Sequence, residues 1–174
     1  MNDNQSKVLT VLFQKPEYHF HIRELARETK LNPNTIINIT DELFKKKIVI
    51  KKKVKHLVEV YCNLDSFEYL RNKRLFNLKS IYSSGLIDEL VDFYNHPRAI
   101  VVFGSFSRGE DNSQSDIDLA VISKTEKEPN LKKYEHKLSR KIHLLSFNKE
   151  ISPEFFNNLI NGVVLFGYLK DERV

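Results

Sequence analysis

The stretch GSFSRGEDNSQSDIDLAVIS, residues 104–123, separates the pair Gly104-Ser105 by ten residues from Asp116, with Asp118 two positions further on. Glycine lets a backbone approach a ligand closely, and a serine at a helix start offers a hydroxyl. The first helical turn adds free N–H groups, so the set suits a phosphate. On a strand, positions i and i+2 project to one face, which would bring the two carboxylates together and send Ile117 to the opposite side. Two such carboxylates can hold a hard divalent cation, Mg2+ or Mn2+, through oxygen. The same residues can also be read as an Asx-rich turn that leads into a strand.

The surrounding elements must place these groups. RAIVVF is a buried-strand pattern ending at Gly104, SFSRGE can make a short helix, DNSQS turns the chain, and DIDLAVI is a second strand. Further on, RKIHLLSF reads as another strand and carries His143. A histidine titrates near neutrality, so His143 is either a proton acceptor or a packing residue.

The chain has 174 residues, 41% hydrophobic and 29% charged, the composition of an ordinary globular protein. No apolar run approaches the roughly 18–20 residues that cross a bilayer, and MNDNQSK lacks the segments of a signal peptide. No membrane association and a cytoplasmic location are therefore expected. Cys62, the single cysteine, excludes an internal disulfide and sits in VEVYCNL, where a buried structural thiol is expected. His19, His21, His56, His96 and His136 show no metal-ligand spacing and read as structural.

Charge divides the chain. Residues 1–80 carry 16 Lys and Arg against 9 Asp and Glu, a balance of +7, whereas residues 81–174 carry 12 against 14, a balance of −2. The first half suits a polyanion and the second suits carboxylates that hold cations.

In the basic half, Val8, Leu9, Val11 and Leu12 suit a short helix over 7–14, and Ile22, Leu25, Ala26 and Thr29 share one face of a second. Asn32 as N-cap and Pro33 at the first helical position open a third helix running to about Lys46. On it Ile36, Ile39, Leu43 and Phe44 are expected inside, with Asn34, Thr35, Asn38 and Lys45 outside. KKKIVIKKKVKHLVEVYCN then predicts two antiparallel strands around a lysine-rich tip near residues 53–56. Residues 65–95 read as a helical connector, with Phe67, Leu70, Leu75 and Leu78 on an apolar stripe. Leu86, Ile87, Leu90 and Val91 follow a break at 83–85. That connector could pack between domains or pair with its copy in a homodimer.

Helix, helix, helix, hairpin is the order of the winged helix-turn-helix family, which residues 6–63 resemble; IRELARETKLNPNTI is similar to its helix-turn-helix core. The resemblance implies contact with double-stranded DNA, the third helix in the major groove with Asn34, Thr35 and Asn38 at base edges. Lys45, Lys51, Lys52, Lys53 and Lys55 would then lie on phosphates. The bland alternative is that the lysines are solvated gatekeepers of an exposed hairpin edge, and a third reading has the hairpin bind RNA.

Gly-Ser, a spacer, then Asp-x-Asp resembles the signature of the DNA polymerase beta-like nucleotidyltransferases, above all the minimal ones. The similarity covers about 98–169, including SRGE after the Gly-Ser and the closing NGVVLFGY. It implies that Gly104 and Ser105 hold the phosphates of a nucleotide, that Arg108 assists there, and that Asp116 and Asp118 hold the metal. Members carry a third carboxylate on a following strand, where this chain has His143. Members modify proteins, nucleic acids or small molecules, and some are antitoxins that adenylylate a toxin, so an acceptor protein such as a toxin is implied as a partner. Two functions follow. One is a metal-dependent transferase moving a nucleoside monophosphate from an NTP, ATP first among them, to a hydroxyl, with Asp116, Asp118 and His143 at the chemistry. The other is a DNA-binding regulator whose domain senses nucleotide or binds a partner. The expected fold is α+β: a winged helix at 1–64, the connector at 65–95, and at 96–174 a small mixed sheet with flanking helices.

Overall fold

A computed structural model of the chain describes residues 3–124, 127–148 and 152–170. Two compact units, Met1–Lys73 and Arg74–Val174, divide it inside a long helix, α4 (Phe67–Ser84). Among the described residues no helix is long and apolar enough to cross a membrane.

In the first unit, α1 (Asp3–Gln14) starts at Asp3 rather than Lys7 and buries Val8, Leu9, Leu12 and Phe13. A two-residue strand, β1 (Phe20–His21), too short for any sequence period, leads into α2 (Ile22–Thr29), which buries Leu25, Ala26 and Thr29. Lys30 ends α2 with a left-handed φ of 57°. The next helix, α3 (Pro33–Lys45), opens as expected: the Asn34 N–H donates to Asn32 Oδ1 at 2.9 Å, and Pro33 takes a position that needs no donor.

Ile36, Ile39 and Leu43 are buried in α3, but Phe44 is 50% exposed. Thr40 fills the inward stripe instead, its hydroxyl donating to the Ile37 carbonyl, while Phe44, like Ile37, stays partly in solvent. Two further strands, β2 (Val49–Val54) and β3 (Leu57–Cys62), pair antiparallel around Lys55 and His56, and β1 adds to give the order β1-β3-β2. Cys62 is buried, and burial pushes its thiol up to about 12 against the opposing pull of the Lys73 charge.

Helix α4 departs from its expected stripe. Phe67 and Leu75 are 69% and 61% exposed, and the buried positions are Tyr69, Lys73, Asn77 and Ile81, spaced by four, followed by Ser84 at the helix end. Tyr69 packs edge-on against Phe13 with ring centroids 5.7 Å apart, within the first unit. The inward face of α4 carries polar groups because partners await them, which an apolarity count does not register.

In the second unit, α5 (Leu86–Phe93) buries Leu86, Ile87 and Leu90 after the break at Gly85. The chain continues through β4 (Ala99–Phe103), α6 (Gly104–Arg108), β5 (Ile117–Ile122), α7 (Lys132–Leu138), β6 (Ile142–Phe147), α8 (Pro153–Ile160) and β7 (Val163–Gly167). The sheet order is β6-β5-β4-β7, mixed: β5 and β6 run parallel and the other pairs antiparallel. Alternation splits the apolar side chains. Ile100, Val102, Ile117, Leu119 and Val121 join Ile81, Leu86, Leu90 and Tyr134 in the larger cluster. On the opposite face Ala99, Val101, Ala120 and Ile122 pack with Leu159 of α8 and half-buried Phe103, Phe147 and Phe155.

Candidate active site

The site begins where β4 runs out. Buried β4 delivers Gly104, which opens α6 with a left-handed φ of 71°. A Cβ at this position would sit 2.5 Å from Asp118 Oδ2, so glycine is required both by conformation and by space. Phe106 anchors α6 in the core, and the Ser107 hydroxyl donates to the Gly104 carbonyl at 2.8 Å. Ser105 stays partly exposed beside them.

Asp118 lies in β5 with Phe103 of β4 on one side and His143 of parallel β6 on the other. Its two oxygens face different neighbours. Oδ2 lies against the bare Cα of Gly104, and Oδ1 is 3.3 Å from His143 Nδ1, with side chains 29% and 59% exposed. Asp116 is exposed one residue ahead of β5, while Ile117 is fully buried on the opposite face. Gly104, Asp118 and His143 are thus in contact or close to it at one end of the sheet. Among the described residues no group of three His, Cys, Asp or Glu side chains is gathered closely enough to hold a metal ion. In donor chemistry, the carboxylates of Asp116 and Asp118 are oxygen ligands of the kind a divalent cation takes, whereas the imidazole of His143 is one that Mg2+ takes poorly. Arg108 points elsewhere: its Nε donates to Glu110 Oε2 at 2.7 Å, both side chains about half exposed.

Three residues at this end of the sheet went unread in the sequence. Asp111, in the loop after α6, accepts from Asn77 Nδ2 of α4 at 2.6 Å, and Arg140 Nη2 lies 3.4 Å from its other oxygen. In EDNSQSDID nothing in type or spacing sets Asp111 apart from its neighbours, and Asn77 and Arg140 are distant in the chain.

The DNA-contact residues expected in the first unit are placed as follows. Asn34 and Asn38 are exposed on α3, Thr35 is partly so, and Lys45 is exposed at its end. Lys52, Lys53 and Lys55 are exposed on the hairpin, whereas Lys51 donates to Asp41 Oδ1 at 2.6 Å and is only 17% exposed. Just ahead of β1, His19 stacks on Tyr61 of β3, ring centroids 3.9 Å apart and ring planes nearly parallel at 6°.

Residues 85–171 match the family model described as polymerase beta, nucleotidyltransferase. None of the curated proteins compared matches the chain.

Proposed function

Because the chain belongs to the polymerase beta nucleotidyltransferase family, we propose that it moves a nucleoside monophosphate from a nucleoside triphosphate to a hydroxyl acceptor. ATP is the first donor to test. The observation that carries this reading is the approach of Asp118 to both the Gly104 turn and His143. Asp116 and Asp118 would hold Mg2+ or Mn2+, which when bound neutralises the triphosphate and polarises the phosphorus under attack. Ser105 and the backbone at Gly104 receive phosphate oxygens, joined by Arg108 once it leaves Glu110. The acceptor oxygen forms a bond to the α-phosphorus as the bond to pyrophosphate breaks. The hydroxyl proton passes to His143 Nε2 in the tautomer whose Nδ1–H points at Asp118 Oδ1.

The N-terminal part, residues 1–64, is proposed to bind double-stranded DNA as a winged helix, with 65–95 connecting it to a transferase part at 96–174. The order of three helices, hairpin and three-stranded sheet supports this. Asn34, Thr35 and Asn38 would meet base edges, and Lys45, Lys52, Lys53 and Lys55 phosphates. Neutralising Lys52 or Lys53 is expected to flatten the salt dependence of DNA affinity by about 0.9 in log–log slope for each phosphate left without its ammonium. Lys51→Ala is expected to change it less, because Asp41 already holds that ammonium. Affinity insensitive to salt would overturn DNA binding in favour of a protein-binding role.

Transfer is tested by incubating the protein with α-labelled ATP, Mg2+ or Mn2+, and its co-purifying proteins and nucleic acids. Label on an acceptor, lost in Asp118→Asn and lowered about 10²-fold or more in His143→Ala, is the expected result. His143 itself favours the second reading, a DNA-binding regulator with an impaired transferase site. That reading gains if the wild-type protein transfers nothing with either metal, or if His143→Asp labels more strongly than wild type. A toxin-like protein or a nucleic-acid end is the acceptor class to examine first, and a homodimer would match palindromic DNA half-sites.

A further inference from the structure

We infer that Asn77, Asp111 and Arg140 form a buried positioning node that sets the acid pair and His143 in register. The node is assembled from three distant segments. Asn77 of α4 donates through Nδ2 to Asp111 Oδ1 at 2.6 Å and to the Phe106 carbonyl of α6 at 2.9 Å. Arg140, in the turn between α7 and β6, pairs with Asp111 Oδ2 through Nη2 and donates to the Asn112 carbonyl through Nη1. The Asp111 and Arg140 side chains are 0% and 8% exposed.

Burying a carboxylate and a guanidinium together adds little net stability, since desolvation offsets most of their attraction, and the best-attested use of such a pair is to fix register. The register at stake here is that of the site. Asp111 stands five residues ahead of Asp116, and Arg140 three ahead of His143. Beside them the Ile117 N–H donates to the Lys141 carbonyl at 2.9 Å, the first link between β5 and β6. The Phe106 carbonyl, which takes the second Asn77 bond, belongs to the helix turn that carries Ser105. One buried carboxylate therefore fastens the phosphate turn, the Asp116 loop and the leading end of β6. The three side chains act only through the groups they place.

The node rests on the nucleotidyl-transfer reading for one readout and stands apart from it in the other. Hydrogen exchange is followed at the Ile117 amide and, as mid-sheet controls, at Val101 and Ala120, in wild type, Arg140→Met and Arg140→Lys. In parallel, Mn2+-dependent affinity for a non-hydrolysable ATP analogue is measured on the folded proteins. Arg140→Met is expected to lower protection at Ile117 selectively and weaken the analogue about tenfold, with Arg140→Lys restoring part of both. Unchanged protection at Ile117 overturns the node. So does a loss spread evenly through the sheet with analogue affinity intact, because that is a purely structural contribution. If Arg140→Met does not fold, Asn77→Ser keeps the ion pair, removes the double donor, and is expected to act in the same direction. A wild-type protein that fails to bind the analogue with Mn2+ counts against the transfer reading, while exchange at Ile117 still decides the node.

Discussion

The sequence offers an apolar stripe on both α3 and α4, yet α3 buries all of its stripe but Phe44, whereas α4 leaves Phe67 and Leu75 in solvent. In α3 the inward positions are Ile36, Ile39 and Leu43, with Thr40 satisfied by its own helix. In α4 they are Tyr69, Lys73, Asn77, Ile81 and Ser84, and large apolar side chains at Phe67, Leu75 and Tyr82 stand outside. The difference teaches that periodicity finds a buried face only where the core facing it is apolar. Where a helix meets a polar anchor such as Asp111, hydrogen-bond satisfaction outranks hydrophobicity in choosing the face.

The two helices should part most sharply at the polar anchor. Asp111→Ala is expected to destabilise the chain by about 3–5 kcal/mol in urea unfolding, because Arg140 stays buried without its carboxylate. If the loss were under about 1 kcal/mol, the inward face of α4 would not depend on this partner. In α3 the matching change is Leu43→Ala at a fully buried apolar position, expected to cost about 2–5 kcal/mol by cavity formation in the same measurement.

Smaller changes sharpen the contrast. Asn32→Ala removes the side-chain acceptor for the Asn34 N–H and should cost about 1 kcal/mol, read as a lower unfolding midpoint. Leu75→Ser is expected to shift stability by no more than about 0.5 kcal/mol, since that side chain is already in water. A loss of about 2 kcal/mol or more there would restore the apolar stripe that the sequence suggests and overturn the observed facing of α4.

The pH dependence of the first unit has a definite sign. The folded-state thiol of Cys62 lies at about 12 against an ordinary 9.0, so its contribution is complete below pH 9 and is lost as pH rises toward 12. Cys62→Ser should therefore flatten the alkaline decline in unfolding free energy, measured by urea titration at successive pH values.

Local chemistry was enough to read much of this protein from its residues alone. Asn32-Pro33 opens a helix because a side-chain acceptor and a missing donor suit a helix start wherever it lies. The lysine-flanked hairpin follows from alternation, and a buried strand ending at Gly104 follows from a short apolar run stopped by glycine. The Asp116-x-Asp118 spacing at the head of a strand is likewise a local fact. The remaining features came only with folding, because each needs a partner remote in the chain. Folding paired two-residue β1 with β3, tied Lys51 to Asp41, and turned polar residues of α4 inward. It also set His143 opposite Asp118 across parallel strands and gathered Asn77, Asp111 and Arg140 around one buried carboxylate. Capping and strand alternation act over a few residues and leave a pattern in sequence; a polar group's choice of a distant partner leaves none until the chain has folded.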